Sequence, residues 1–195
     1  MKDFIKSIRL TLVFFAFFAV CYVLVLWIFA KVAGPNHGNI EVAMNKGKVT
    51  GAANVGQRFI SDMYFWGRPS YAGGNGYDAS SSCGSNKGPN NEEYLAGVAS
   101  RTKVFMMHHP YLKHANVPAE MVTASGSGLD PDITPQCAYV QAKRVAETRG
   151  LSEQSVKELV KKHVDGPLFG LFGPKKVNVL KLNIALDNMS NGTKR

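Results

Sequence analysis

Leu10–Ala30 reads LTLVFFAFFAVCYVLVLWIFA, 21 residues without one charged side chain. At about 1.5 Å per residue, a helix of that length covers roughly 30 Å, the thickness of a bilayer's hydrocarbon core. The run is apolar on every face, with only Thr11 and Tyr22 carrying hydroxyls. Trp27 and Phe29 fall near its outer end, where aromatic rings favour the membrane–water boundary. A cleaved signal peptide has a shorter apolar stretch, about 7–15 residues, and small residues at the cut site. Here Ile28-Phe29-Ala30-Lys31-Val32-Ala33 puts bulky or charged residues there instead. A buried core helix of this length would carry a polar position. The segment therefore reads as a retained transmembrane helix.

Its flanks set an orientation. Lys2, Lys6 and Arg9 precede the span against a single acid, Asp3, whereas Lys31 is the only basic residue close behind it and Lys46 comes next. The positive-inside bias places residues 1–9 in the cytoplasm, 10–30 in the membrane and 31–195 outside. Intramembrane charge is the usual mark of ion transport chemistry. A single span without charge neither encloses a pore nor carries an ion, so any transport role comes through partners.

Residues 31–195 suit one domain. They hold 20 Lys+Arg and 13 Asp+Glu, or +7 of the chain's +9. The charges are scattered rather than interleaved with stacking aromatics, which argues against nucleic acid. Cys21 lies in the span, while Cys83 and Cys137 lie in the outer domain and allow one pairing, which sequence neither requires nor forbids. Their spacing matches no metal motif.

Gly34–Asn39 is a turn-rich exit from the membrane, and Lys48-Val49-Thr50 suits a strand. Residues 67–90, GRPSYAGGNGYDASSSCGSNKGPN, bury little apolar surface. Trp66, Tyr71 and Tyr77 supply anchors, so an ordered irregular loop is expected. Asn90 or Asn91 caps a helix whose inner face is Leu95, Val98, Ala99 and Thr102, ending near His108-His109-Pro110. Met121–Ser125 reads as a short strand. Thr134 and Pro135 start a helix that Gly150 stops after Arg149. Ser152 caps another, with Val156, Leu159, Val160 and His163 or Val164 on one face, which Asp165-Gly166-Pro167 ends. Leu180, Leu182, Ile184 and Leu186 alternate with Lys181, Asn183 and Ala185, the pattern of a half-buried strand. The expected fold is an α+β outer domain preceded by a single N-terminal transmembrane helix.

No catalytic constellation stands out. The G-x-S-x-G elbow of serine hydrolases is missing around Ser127. His108, His109 and His114 lack H-E-x-x-H spacing, and solvent-exposed histidines at a helix end are expected. Ser125-Gly126-Ser127-Gly128 could form a backbone anion nest, but no phosphate-loop lysine follows, and a positive-φ turn locked by Asp130-Pro131 accounts for the glycines. Neither a catalytic nor a metal-binding residue is assigned.

Several segments together resemble a known family. They are Tyr64-Phe65-Trp66-Gly67-Arg68-Pro69-Ser70, Tyr77-Asp78, Gly84-Ser85-Asn86-Lys87-Gly88-Pro89-Asn90 and Val122-Thr123-Ala124-Ser125-Gly126-Ser127-Gly128-Leu129-Asp130-Pro131. Arg144-Val145-Ala146, Arg149-Gly150-Leu151, Val177-Asn178-Val179-Leu180, Leu182-Asn183 and Ala185-Leu186-Asp187 follow in order. With the single N-terminal span, this series is similar to the KdpC subunit of the bacterial potassium-transporting P-type ATPase over essentially the whole chain. Asp132 stands where the family commonly has His, Cys83 interrupts the Ser/Gly-rich loop, and His108-His109 with Tyr111 are outside the family hallmarks.

The resemblance implies a non-catalytic accessory subunit in the inner membrane. Its partners would be a potassium-binding, channel-like subunit and an ATP-hydrolysing P-type subunit, with lipid around the span. It further implies an assembly factor and a catalytic chaperone that raises the hydrolysing subunit's ATP affinity. The outer domain would lie near the ion entrance. Such a domain does not meet cytoplasmic ATP directly, so ATP would act through the partner subunit. Ser125, Gly126, Ser127 and Gly128 are only a weak nucleotide candidate. Trp66, Arg68, Ser70, Asn86, Pro89 and Asp130 are the candidate partner-facing residues, although Arg68 could equally satisfy loops of its own domain. The rival readings are a membrane-tethered envelope enzyme and a free-standing binding module with a basic outer face.

Overall fold

The computed structural model describes residues 1–192. The chain divides into two compact units, Met1–Glu41 and Val42–Arg195.

The first unit is an unbroken helix over Lys2–Ala33. Helix α1 (Lys2–Ala16) and helix α2 (Val23–Ala33) join through a wider π-helical stretch, Phe17–Tyr22. Its 32 residues give about 48 Å of helix, longer than a hydrocarbon core needs. The expected span lies inside it, and the extra turns carry the polar N-terminal flank, where Lys6 pairs with Asp3 at 3.0 Å. None of α1, the π stretch or α2 is buried, as a lipid-facing helix requires.

The second unit opens with a hairpin of β1 (Val42–Asn45) and β2 (Lys48–Ala52), antiparallel. Its turn uses Lys46 and Gly47, both at positive φ, as a tight right-twisted hairpin demands. No helix or strand then forms until Asn91, whose side chain accepts from the Tyr94 amide and starts α3 (Glu92–His108). Helices α4 (Pro135–Arg149) and α5 (Glu153–Lys162) pack on each other. The Thr134 and Ser152 side chains cap them, and Gly150 closes α4 in the left-handed region at φ 66°. A small antiparallel sheet, in the order β3 (Asp132–Ile133), β5 (Lys176–Asn178) and β4 (Val164–Asp165), lies beside them. The chain then enters α6 (Val179–Gly192). Ile133, Val145, Val156, Val160, Val177, Leu182 and Leu186 form one core with Phe65 and Phe105.

Three local readings need correction. Leu180–Leu186 is helix, not strand. Val179, Leu182, Asn183 and Leu186 are buried at i, i+3, i+4 and i+7, a helical stripe that Leu180 widens at its start. The alternating leucines concealed this because Asn183, polar and buried, sits within the stripe. Met121–Ser125 is no strand either: a 3₁₀ turn at Ala119–Met121 runs into bends. On α3, Leu95 and Ala99 are exposed, and burial is confined to Thr102 and Phe105. The N-terminal half of α3 projects past the core.

Asn183 gives a direct check on α6. Its Nδ2 donates to the Phe65 carbonyl at 3.0 Å, and its Oδ1 accepts the Phe65 amide at 2.8 Å. Asn183→Leu leaves both buried backbone groups unpaired, so a loss of about 2–4 kcal/mol is expected in urea unfolding of the detergent-solubilised chain. In an exposed strand position the same change would be near neutral.

Candidate functional site

Residues 53–91 have no regular element, so their backbone polar groups need other partners. Side chains from the helices supply them. Gln141 on α4 treats Trp66 as Asn183 treats Phe65: its Nε2 donates to the Trp66 carbonyl at 3.2 Å, and its Oε1 accepts the Trp66 amide at 2.8 Å. Arg149 Nε donates to the Met63 carbonyl at 2.6 Å, and its guanidinium pairs with Asp187 at 2.8 Å.

At the centre is Arg144, whose side chain is only 4% exposed. Its Nε donates to His109 Nε2 at 3.0 Å. Nη1 donates to the Asp62 carbonyl at 2.7 Å and the Asp62 carboxylate at 3.3 Å. Nη2 donates to the Tyr64 carbonyl at 3.1 Å and Gln141 Oε1 at 2.9 Å. The guanidinium carbon also lies 4.3 Å from the Trp66 ring centre. Burial pushes Arg144 down to about 10, so it stays charged at neutral pH.

The expectation of solvent-exposed histidines holds for His114 but not in full for His108 or His109. His109 is wholly buried, stacked on Phe105 at 4.0 Å. Its partners fix the tautomer: Nδ1 donates to the Phe105 carbonyl at 2.7 Å, leaving Nε2 to accept from Arg144. His108 is partly exposed and paired with Asp62 at 2.8 Å. Among the described residues no group of three or more His, Cys, Asp or Glu is placed to hold a metal.

Arg68 serves loops of its own domain. Nη1 pairs with Asp130 at 3.1 Å, and Nη2 donates to the Ala124 carbonyl at 3.2 Å. Ser70 Oγ donates to the Gly128 carbonyl and accepts the amides of Ala72 and Tyr77 at 3.1 and 2.7 Å. The Tyr77 hydroxyl closes the turn on the Arg68 carbonyl, and burial first, then Asp130, pushes that phenol up to about 12. Gly128, at φ 68°, packs so tightly that a Cβ would stand 2.6 Å from the Cys83 carbonyl. The carbonyls of Ser127 and Gly128 are taken by Ser82 and Ser70. Trp66–Ser70 and Ser125–Asp130 thus form one clamp, whereas Asn86 and Pro89 lie apart on exposed loop.

The clamp borders a cleft of about 510 Å³, lined among others by Arg58, Phe59, Trp66, Arg68, Tyr77 and Arg101. The volume suits a side chain or small ligand. Arg101 Nε donates to the Val122 carbonyl at 2.7 Å. Arg101 Nη2 and Arg68 Nε are buried donors without an acceptor, and no carboxylate lines the cleft. The lining thus combines guanidinium groups with aromatic surface.

Sequence reading placed Arg144 only within a resembling segment and missed Asp62, Gln141, Arg58 and Arg101. A charged residue and a glutamine on the inner stripe of α4, between Ala138 and Val145, were the available signal. All three cysteines are free thiols. Cys83 donates to the Tyr71 carbonyl, and Cys137, with its thiol against Glu120 at 3.0 Å, is pushed up to about 12 by burial.

The family model described as "K+-transporting ATPase, c chain" matches residues 4–188. The potassium-transporting ATPase KdpC subunit of Phocaeicola vulgatus is 68% identical over 187 residues, covering 96% of this chain and 98% of the relative. The KdpC subunit of Flavobacterium johnsoniae is 47% identical, covering 97% and 100%. That of Caldanaerobacter subterraneus is 40% identical, covering 93% and 92%. The chain belongs to the family of potassium-transporting ATPase c chains, KdpC.

His109 makes stability depend on pH. Burial pushes it down to about 4 from an ordinary 6.5. The unfolded chain therefore binds the extra proton between those values, and the contribution is complete above 6.5 and lost as pH falls toward 4. Protonating Nε2 would also set a second cation against Arg144. Chemical unfolding should show a loss approaching about 3 kcal/mol from pH 7 to 4, and His109→Gln should flatten that slope.

Proposed function

We propose that this chain is a non-catalytic accessory subunit of an ATP-driven, high-affinity potassium importer. The observation that carries the reading is the family match across residues 4–188, continued by relatives that are potassium-transporting ATPase subunits over almost their full length. The span Lys2–Ala33 docks among the spans of the channel-like and ATP-hydrolysing subunits. Its basic N-terminal flank stays in the cytoplasm, and the domain from Val42 onward lies outside, near the ion entrance. Assembly and a raised ATP affinity of the hydrolysing subunit follow from that docking through coupled equilibria. Direct nucleotide binding at Ser125–Gly128 draws little support, because no phosphate-loop lysine follows the loop. The clamp instead shapes a partner-facing surface with the arginine-lined cleft beside it.

Co-expression with the pump subunits and mild-detergent purification tests this. The full chain should travel with a large ATPase, and omitting it should raise the KM for ATP by roughly 5–150-fold, the range of typical coupling. A chain that purifies alone, with potassium-stimulated hydrolysis unchanged, removes the reading. Deleting residues 1–30 should abolish both assembly and potassium-stimulated ATPase activity.

Within the domain, two classes of change should separate. Asn86→Arg combined with Pro89→Glu should lower recovery of the complex while leaving the melting temperature of the chain alone. Arg68→Ala should lower both, because it opens the clamp as well as the surface.

A further inference from the structure

Between β4 and β5 the chain reads Gly166-Pro167-Leu168-Phe169-Gly170-Leu171-Phe172-Gly173-Pro174, with no polar side chain. Leu168, Phe169, Leu171 and Phe172 are 64, 83, 80 and 66% exposed. Four backbone hydrogen bonds nonetheless brace the turn beneath them. Leu168 and Phe172 exchange amide–carbonyl bonds at 2.8 and 3.0 Å, Gly170 donates to Pro167 at 2.9 Å, and Leu171 to Leu168 at 3.1 Å. Phe169 holds φ at 54°, a conformation a bulky residue adopts only under constraint. The sequence thus spends a strained turn on pushing four large apolar side chains outward. In the sequence that flanks it, Lys161, Lys162, Lys175 and Lys176 are exposed, and Asp165 is the one acid from Lys161 to Lys176.

We propose that this tip enters the interfacial layer of an anionic lipid leaflet, its Leu and Phe side chains at the headgroup–acyl boundary and its lysines toward lipid phosphates. The proposal rests on the membrane-anchored reading above. Its first support is the backbone: an apolar medium disfavours unpaired amides, and those of Leu168, Gly170, Leu171 and Phe172 have partners inside the protein. The second is charge, since a lysine rim complements anionic headgroups, although Lys176 also bonds Asp132 at 2.7 Å. The third is what the tip lacks. Without a polar side chain from Gly166 to Pro174 it carries nothing to set a register on a protein partner, which a fluid surface does not require. The chain's own span keeps the bilayer at high effective concentration.

The test is tryptophan fluorescence of the full chain reconstituted, without partner subunits, in vesicles containing phosphatidylglycerol. Phe169→Trp should add blue-shifted emission over the unsubstituted chain, and lipids brominated on their acyl chains should quench it. Replacing phosphatidylglycerol by phosphatidylcholine should weaken the quenching, and indifference to that exchange overturns the role of the lysines. Solvent-like emission that bromine leaves unchanged overturns insertion. A blue shift without bromine quenching assigns the tip to a second copy, and a blue shift seen only after pump subunits are added assigns it to them; either overturns the proposal. Trp27 separates the two readings. If the unsubstituted chain is quenched but the introduced indole is not, insertion alone fails, and if neither is quenched, anchoring fails with it.

Discussion

The structure depends on one buried cation. Arg144 lies inside the domain with every guanidinium N–H directed at an acceptor on Asp62, Tyr64, His109 or Gln141. A buried charge is tolerable only with such complete pairing, because desolvation otherwise outweighs attraction. The acceptors come from three parts of the chain: the irregular segment after β2, the end of α3 and α4 itself. Satisfying the arginine therefore assembles them. His109 must be neutral to accept from Nε, so the cation also dictates a tautomer and holds a second titratable group against protonation.

From that centre the loop segment acquires the order that strands would normally supply. Phe65 and Trp66 have their amides and carbonyls paired by Asn183 and Gln141, in the manner of a neighbouring strand. The side-chain amides thereby fix the exit direction of Gly67–Ser70, and Arg68 and Ser70 then reach Asp130, Ala124 and Gly128. Positions that looked like free contact residues are thus largely committed to their own domain. What they shape is the surface around the cleft, which Arg58, Arg68 and Arg101 line together.

How much of this was legible in the sequence follows from where local rules decide structure. The span, α4 and α5 were readable because length, caps and a stop glycine act within a few residues. α6 was misread because its decisive residue, Asn183, is polar, and its burial is set by Phe65, far away in sequence. The Arg144 network escaped for the same reason. Nothing near Arg144 says that Asp62 will come to it, and a charged residue in a helix is usually solvated. The loop glycines were recognised as backbone devices, yet only the packed structure shows Gly128 pressed against Cys83 and Ala72.

The same logic distinguishes shape from contact. Polar groups that are buried and fully paired, such as Arg144, Gln141 and Asn183, have little left to offer a partner, and altering them changes the domain first. Groups left exposed, or buried without an acceptor, at a cost to the isolated chain are the ones whose presence the fold does not explain. Two sets meet that description: the donors of Arg68 and Arg101 without acceptors, and the apolar tip at Leu168–Phe172. One is a cleft lined by arginines and aromatic rings; the other is an exposed apolar turn flanked in sequence by lysines. On the readings proposed above, each is stabilised by a different medium, a polar protein surface for the first and lipid for the second, and both features belong to one domain built on the buried arginine and the core around it.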